Sequence, residues 1–464
     1  MGGYLITGAT LIDGDGERPG SLRTEGERIA AILPADVPDA DLADLAARHG
    51  CEVVDGRGRW LVPGGVDPHV HFALPVGDTV TVDDFATGSR AALAGGTTTI
   101  IDFVTPARDQ SLVEATEARL AEAARSSCDY ALHASATAWR STTAAELGAC
   151  VERYGLRSLK LYLAYLETIG LADADLFAAM QAAAALDLTV LVHCEDGASV
   201  SQRQRALVTA GETGPAAHLR SRPPRCEVDA VVRALDLAAR AGCRPYVVHV
   251  STGGAVVAIR AARARGQTVL AETCPQYLVL DENAYRRPFA EAAAFVMSPP
   301  LRAPAERDAL RTAVWRGDLD VVATDHCAFD RRQKDRGRGD FTRIPGGASG
   351  VEHRLALLYT LGVVPGALTP SAWVRLVSAQ PARIFGLYPR KGSLAPGADA
   401  DLVLWDPAVT RVIHAAEDHE VCDHSVYEGL AVRGRAERVW LRGTEVVRQG
   451  EILAPTDGGT FILR

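Results

Sequence analysis

The stretch Gly64-Gly65-Val66-Asp67-Pro68-His69-Val70-His71-Phe72 decides how the rest of the chain is read. In an extended segment side chains two apart point to the same side, so His69 and His71 face one point and could bind a single metal ion together. Pro63, Gly64 and Gly65 suggest a bend just before them. An isolated His-x-His is a weak signal, equally at home as two ordinary polar strand residues, and needs partners elsewhere in the chain.

Working outward, apolar strand-like runs alternate with segments of helical periodicity from Gly64 onward. After the His69/His71 strand come Thr97–Val104, Asp129–Ala136, Ser158–Tyr165, Thr189–Glu195, Arg244–Ser251, Thr268–Leu278 and Val321–Phe329, eight strands in all. Helices are expected at Asp83–Leu93, Asp173–Leu186, Glu227–Ala241 and Gly254–Arg265. Several are followed by glycine, a common helix stop. Near-continuous apolar strands alternating with helices predict an α/β fold of the TIM type, a (β/α)8 barrel. The rival open doubly wound sheet lacks its usual nucleotide-binding signatures, since neither Gly-x-Gly-x-x-Gly after a first strand nor Gly-x-x-x-x-Gly-Lys-Ser/Thr occurs.

The first sixty residues read as short β-structure with turns. Beyond the barrel, Thr369–Leu387 reads as helix, Ala398–Asp406 as strand and Arg438–Gln449 as a strand pair about Gly443. Both chain ends are therefore expected to build one small β-sandwich domain. Residues 1–62 and 394–464 would supply it, flanking a hydrolase barrel over 63–393.

Composition excludes several classes. With 464 residues, 47% hydrophobic and 23% charged, the chain is globular, and no apolar run is long enough to span a bilayer. The start at Met1 shows no basic segment followed by a long apolar run, so no secretory leader is read there. Nine scattered cysteines without a CxxC pair indicate reduced thiols and a cytoplasmic location. The balance of 49 Lys+Arg against 58 Asp+Glu, a net charge of −9, disfavours nucleic acid or an anionic membrane as the main partner. One basic run, Arg331 to Arg343, is expected to be a solvated loop, with a cover over the active site as the functional alternative.

A barrel of this kind carries its active site at the carboxyl ends of its strands. There lie His69 and His71, then Lys160, His193, His249 and Asp325, each a polar residue on or at the end of an apolar run. Any one of these histidines alone would be an ordinary hydrogen-bonded residue. Together, four histidines and an aspartate converging on one mouth form an N/O ligand set suited to Zn²⁺ or a similar ion. Lys160 fits poorly, because an ammonium beside divalent ions is repelled. As a plain lysine it would reach solvent or pair with an acid.

These motifs, with Val80-Thr81-Val82-Asp83-Asp84-Phe85, Gly95 to Phe103, Ala271 to Leu278, Met297 to Arg302 and Ile384 to Gly392, resemble the amidohydrolase superfamily, most closely its dihydropyrimidinase/hydantoinase family. The resemblance spans nearly the whole chain. It implies that Lys160 is carboxylated (N6-carboxylysine), hence anionic and able to bridge two divalent ions, zinc by expectation. One ion would be held by His69, His71, Lys160 and Asp325, the other by Lys160, His193 and His249. Asp325 would act as the proton carrier and Tyr165 as the donor to the oxyanion, with Ser298 and the backbone at Gly346 binding the ring of a cyclic amide. The family is commonly tetrameric, and Asp423 to Gly429 partly matches a segment used in its subunit contacts.

Two positions depart from the family pattern. Gly346 stands where asparagine is usual, and Val76 where an aromatic is common in the loop that lines the pocket for the exocyclic substituent. Among relatives sharing the chemistry, dihydroorotase-like enzymes carry an arginine soon after the His-x-His, which Phe72-Ala73-Leu74 lacks. Allantoinase-like enzymes show Asn-Glu-Pro-Gly in that region, also absent here, although Gly346 to Gly350 partly resembles that branch. A non-catalytic assembly protein of the family would have lost metal ligands, whereas all six positions are filled. Hydrolysis of dihydropyrimidines or hydantoins to N-carbamoyl amino acids is the expected activity.

Overall fold

The computed structural model describes residues 3–453 and 458–464. Met1 and Gly2, the start of the segment read above as lacking a secretory leader, lie outside these. Eight parallel strands, Gly65–Val70, Thr97–Val104, Asp129–Ser135, Ser158–Tyr162, Thr189–His193, Arg244–Val247, Leu270–Thr273 and Val321–Val322, follow one another in a single sheet in chain order. They are called the first to eighth barrel strands below. The seam between eighth and first closes through a parallel bridge of Val70 with His326, where His71 N–H donates to the His326 carbonyl at 2.8 Å. Buried Arg354 reinforces it, donating to the carbonyls of Val66 at 2.9 Å and Val322 at 3.1 Å. The TIM-type expectation holds. Inside the barrel, Val66, Ile101, Phe103, Ala131, Leu191 and Tyr246 pack as one apolar cluster, so it is a filled core and the site is confined to its mouth.

Several strands stop earlier than their apolar runs suggest. The fourth ends at Tyr162, not Tyr165; the sixth at Val247, before His249; the eighth at Val322, before Asp325. Thr268–Leu278 contains only the short strand Leu270–Thr273 and then turns into the helix Pro275–Val279, with Pro275 at its first turn. The cause is local. Tyr165, His249 and Asp325 take left-handed backbone angles (φ 58°, 39° and 52°), which take the chain out of the β-region.

Helix positions agree more closely. Phe85–Ala94 is capped by Asp84 in a capping box with Thr87; Asp173–Ala185, Pro224–Ala241 and Gly253–Ala264 match their expected segments to within a few residues. The Thr369–Leu387 segment is helical from Pro370 to Ile384, with a widened turn over Arg375–Ala379. The reading of the first sixty residues as β-structure missed the helix Asp39–His49. Its signals were present but faint: acids in the first turn, Arg48 and His49 in the last, and Leu42 with Ala46 as the buried face.

Apart from the short hairpin Pro75–Val76 and Thr79–Val80, the remaining strands form a mixed nine-stranded sheet to which both chain ends contribute, with Trp60–Pro63 lying between Tyr4–Ile12 and Leu402–Val412. The sheet curls so that its edge strand Arg28–Pro34 returns to residues 397–400, through Ile29 N–H to the Ala398 carbonyl at 2.9 Å and Gly397 N–H to the Ile29 carbonyl at 2.8 Å. Ile6, Leu11, Leu22, Leu61, Leu402, Leu404 and Trp440 fill it. Lys391 ties it to the barrel: its Nζ lies 2.5 Å from Asp129 on the third strand, 2.9 Å from Asp399 and 2.7 Å from Asp401. All nine cysteines are free, and among the described residues no helix is long and apolar enough to cross a membrane.

Candidate metal centre and active site

All of His69, His71, Lys160, His193, His249, Asp325, Tyr165, Ser298 and Gly346 line one cavity of about 590 Å³ at the barrel mouth. His69 Nε2 and His71 Nε2 lie 3.2 Å and 3.1 Å from the same oxygen, Asp325 Oδ1. Ligand atoms bound tetrahedrally to one ion at zinc distances stand roughly 3.3 Å apart, so this trio has the spacing of a shared ion. His69 Nε2 is buried and makes no hydrogen bond, the condition of a donor atom aimed at a cation. Next to it, His193 Nδ1 and His249 Nε2 face each other at 2.9 Å. The groups present fit a metal centre.

Lys160 rises from the fourth strand between these two sets. It neither snorkels nor pairs with an acid: its residue is 1% exposed, its Nζ lies 5.0 Å from the centre of the Phe103 ring, and no ion pair or hydrogen bond to it occurs among the described residues. Burial pushes its ammonium down to about 8, against the pull of Asp325 and Glu272. A lysine so placed is readily the free amine, the form that can react with carbon dioxide.

The electrostatics hold the ligands in their metal-ready forms. Burial, then Lys160 nearby, drives the His69 imidazole well below its ordinary value; burial, then His193, does the same for His249. Burial works against the Asp325 carboxylate, but His69 and His71 outweigh it and hold it far below the usual carboxylate range. Neutral imidazoles and an ionised carboxylate are what a metal requires.

Two carboxylates absent from the expected site orient the rings. Glu272 on the seventh strand bonds His69 Nδ1 and also accepts from Tyr246 Oη at 2.7 Å. Glu195 accepts from His193 Nε2 at 2.9 Å and from Arg222 Nη1 at 2.5 Å. Each fixes which ring nitrogen faces the cavity. Glu195 could have been found from its place two residues after His193, and Glu272 as a charge inside an apolar strand.

On the facing wall, the Tyr165 ring lies 5.2 Å from the His193 ring and 5.7 Å from the Arg222 guanidinium carbon. Burial raises its phenol, partly offset by Arg222, so it is a protonated donor at neutral pH. A Cβ at Gly346 would meet nothing nearer than Ser298 Oγ at 3.6 Å. The position has room for a Cβ, and with glycine there that room belongs to the cavity. Arg336, Phe341, Thr342 and Arg343 also line it, and Arg336 pairs with Asp78 at 2.9 Å. The basic run thus borders the cavity, as its alternative reading had it, while Arg331, Arg332, Arg336, Arg338 and Arg343 remain exposed and, of its basic residues, only Lys334 is buried.

Residues 60–446 match the sequence model of the amidohydrolase family. Over 417 residues the chain is 40% identical to the D-hydantoinase of Geobacillus stearothermophilus, covering 89% of this chain and 88% of that one. The chain belongs to the amidohydrolase family. Within it, this amidohydrolase is a metal-dependent hydrolase of the dihydropyrimidinase and hydantoinase type. It is 37% identical over 464 residues to dihydropyrimidinase 1 of Caenorhabditis elegans, covering 99% and 93% of the two chains. The crystal structure of dihydropyrimidinase from Brevibacillus agri NCHU1002 superposes with a TM-score of 0.95 at 37% identity, covering 99% of this chain and 98% of that one. The L-hydantoinase of Arthrobacter aurescens does so with 0.89 at 28% identity, covering 100% of both.

Proposed function

We propose that this amidohydrolase opens the ring amide of dihydropyrimidines and hydantoins to give N-carbamoyl amino acids. The observation that carries the reading is the meeting of six potential ligand side chains at one barrel mouth, opposite Tyr165, Ser298 and Gly346. Lys160, as N6-carboxylysine, would be shared between two zinc ions, one also held by His69, His71 and Asp325 and the other by His193 and His249. When bound, such ions lower the pKa of water and polarise a carbonyl.

The chain's own groups do the rest. Ser298 and the Gly346 backbone hold the cyclic amide with its scissile carbonyl toward the histidines. Asp325, kept ionised, takes the proton of the attacking water as its oxygen bonds to the carbonyl carbon, and gives it to the ring nitrogen as the C–N bond breaks. Tyr165 donates to the oxyanion that forms between these steps. A homotetramer belongs to the same reading, supported by the family resemblance of Asp423 to Gly429. A cytoplasmic location suits nine free cysteines.

Elemental analysis with intact mass, followed by a substrate panel of dihydrouracil, hydantoin, 5-substituted hydantoins, allantoin and dihydroorotate, tests the reading. Two metals per chain, a carbon-dioxide-sized mass increment and turnover of the first three classes are expected. Preference for allantoin or dihydroorotate would reject the substrate assignment, and fewer than one metal per chain the binuclear centre.

A further inference from the structure

The cavity wall that carries Ser298 and Gly346 is made of two segments, Val296 to Leu301 and Ile344 to Gly347, that belong to neither helix nor strand. Their carbonyls therefore lack a regular ladder; one main-chain bond, from Gly347 N–H to the Val296 carbonyl at 3.0 Å, joins the two segments, and side chains hold several of the other carbonyls. His218 Nε2 donates to the Met297 carbonyl at 2.8 Å, and Tyr277 Oη to that of Pro299 at 2.7 Å. The largest share falls to Lys334. Its Nζ donates to the carbonyls of Val296 at 2.8 Å, Pro345 at 2.9 Å and Gly347 at 2.7 Å, using all three N–H bonds of an ammonium and joining both segments.

Lys334 is 2% exposed and has no carboxylate partner among the described residues. The titratable groups that face it are the Cys327 and Cys422 thiols and the His218 and His424 imidazoles, and the Phe329 ring centre lies 5.7 Å away. A buried ammonium without a counter-charge is costly, and an apolar side chain of the same length would avoid that cost. The hydrogen bonds of Lys334 offset that cost by satisfying carbonyls that an apolar side chain would strand, and two of them fall on either side of Gly346. The Gly346 carbonyl between them lies outside this set of bonds and, among the described residues, has only a long contact from the Cys327 thiol at 3.8 Å.

We infer that Lys334 is a positioning residue for ring recognition, whose three hydrogen bonds set the spacing between Ser298 and the free Gly346 carbonyl. This rests on the cyclic-amide function proposed above. A displaced wall would weaken binding of the ring while leaving the metal centre intact, because none of its contacts reaches a metal-ligand side chain.

The test is Lys334→Met in the metal-loaded enzyme with dihydrouracil as substrate. The expected result is a KM raised about tenfold or more, with kcat within about threefold and metal content per chain unchanged. Lys334→Gln, which keeps two N–H donors without the charge, is expected to recover part of the loss, and it serves as the test if the methionine variant does not fold. Unchanged KM in a folded variant, loss of metal along with activity, or failure of both variants to fold would overturn the inference. A wild-type enzyme inactive on every cyclic amide would instead reject the proposed function, so the two failures are distinguishable.

Discussion

His193 Nδ1 and His249 Nε2 face each other at 2.9 Å across the barrel mouth, each ring buried and each shifted toward the neutral form. Without an ion, one of these nitrogens must carry a proton toward the other; with one, both lone pairs can point to it. Which nitrogen of His193 faces inward is decided behind the ring, by Glu195 at Nε2. Glu195→Gln should therefore weaken metal retention by roughly 10- to 100-fold while leaving the fold in place. Chelator competition followed by elemental analysis measures this. Retention equal to wild type would mean that the ring is oriented without Glu195.

Lys160 gives a pH dependence with a definite sign. Its ammonium, pushed down to about 8 by burial, is about half free amine at pH 8 and roughly fiftyfold less at pH 6, whereas an ordinary lysine is almost wholly protonated at both. The His69 and His249 imidazoles already lie well below their ordinary value, so the lysine limits assembly of the site over this range. Reconstitution of metal-free enzyme with zinc, at fixed dissolved carbon dioxide, should speed up steeply from pH 6 to pH 8 and stall when carbon dioxide is excluded. Recovered activity and intact mass follow it. A rate flat with pH would remove the carboxylated lysine from the mechanism.

Polar residues closing apolar strands made His69, His71, Lys160, His193, His249 and Asp325 legible in the sequence, because burying such groups needs a reason that can be read without coordinates. The ends of the strands were not legible in the same way. Tyr165, His249 and Asp325 sit in left-handed backbone, which is uncommon for any residue but glycine, and no residue type at these positions announces it. Lys334 was hidden for another reason. Its neighbours Arg331, Arg332 and Arg336 make the run look solvated, and only the fold shows that its side chain turns inward while theirs do not.

The loop after His71 should govern the exocyclic substituent. Leu74 and Val76 line the same cavity as Gly346. Leu74→Ala removes apolar contact from a substituent but none from the ring. The ratio of kcat/KM for 5-phenylhydantoin over hydantoin should then fall by about tenfold, the scale of a lost hydrophobic contact in a pocket. Parallel progress curves on the two substrates decide it, and an unchanged ratio would move the substituent pocket elsewhere.

Lys391 carries a prediction about stability alone. Burial opposes its ammonium, but Asp401, Asp129 and Asp399 outweigh that and hold it charged above the usual lysine range. Arg442 and Arg390 also reach this cluster, at Asp129 and Asp399, whereas the side-chain oxygens of Asp401 have otherwise, among the described residues, only the Arg442 main-chain N–H, at 2.8 Å. Lys391→Met therefore strands a buried carboxylate between barrel and sheet and should cost about 3–5 kcal/mol, lowering the first thermal transition by several degrees. Adding Asp401→Asn removes the stranded charge, so the double variant should be more stable than Lys391→Met alone, although the two residues are in direct contact and their separate effects do not add. Calorimetry on the wild type and the two variants distinguishes this from simple loss of packing, for which the second substitution would bring no recovery.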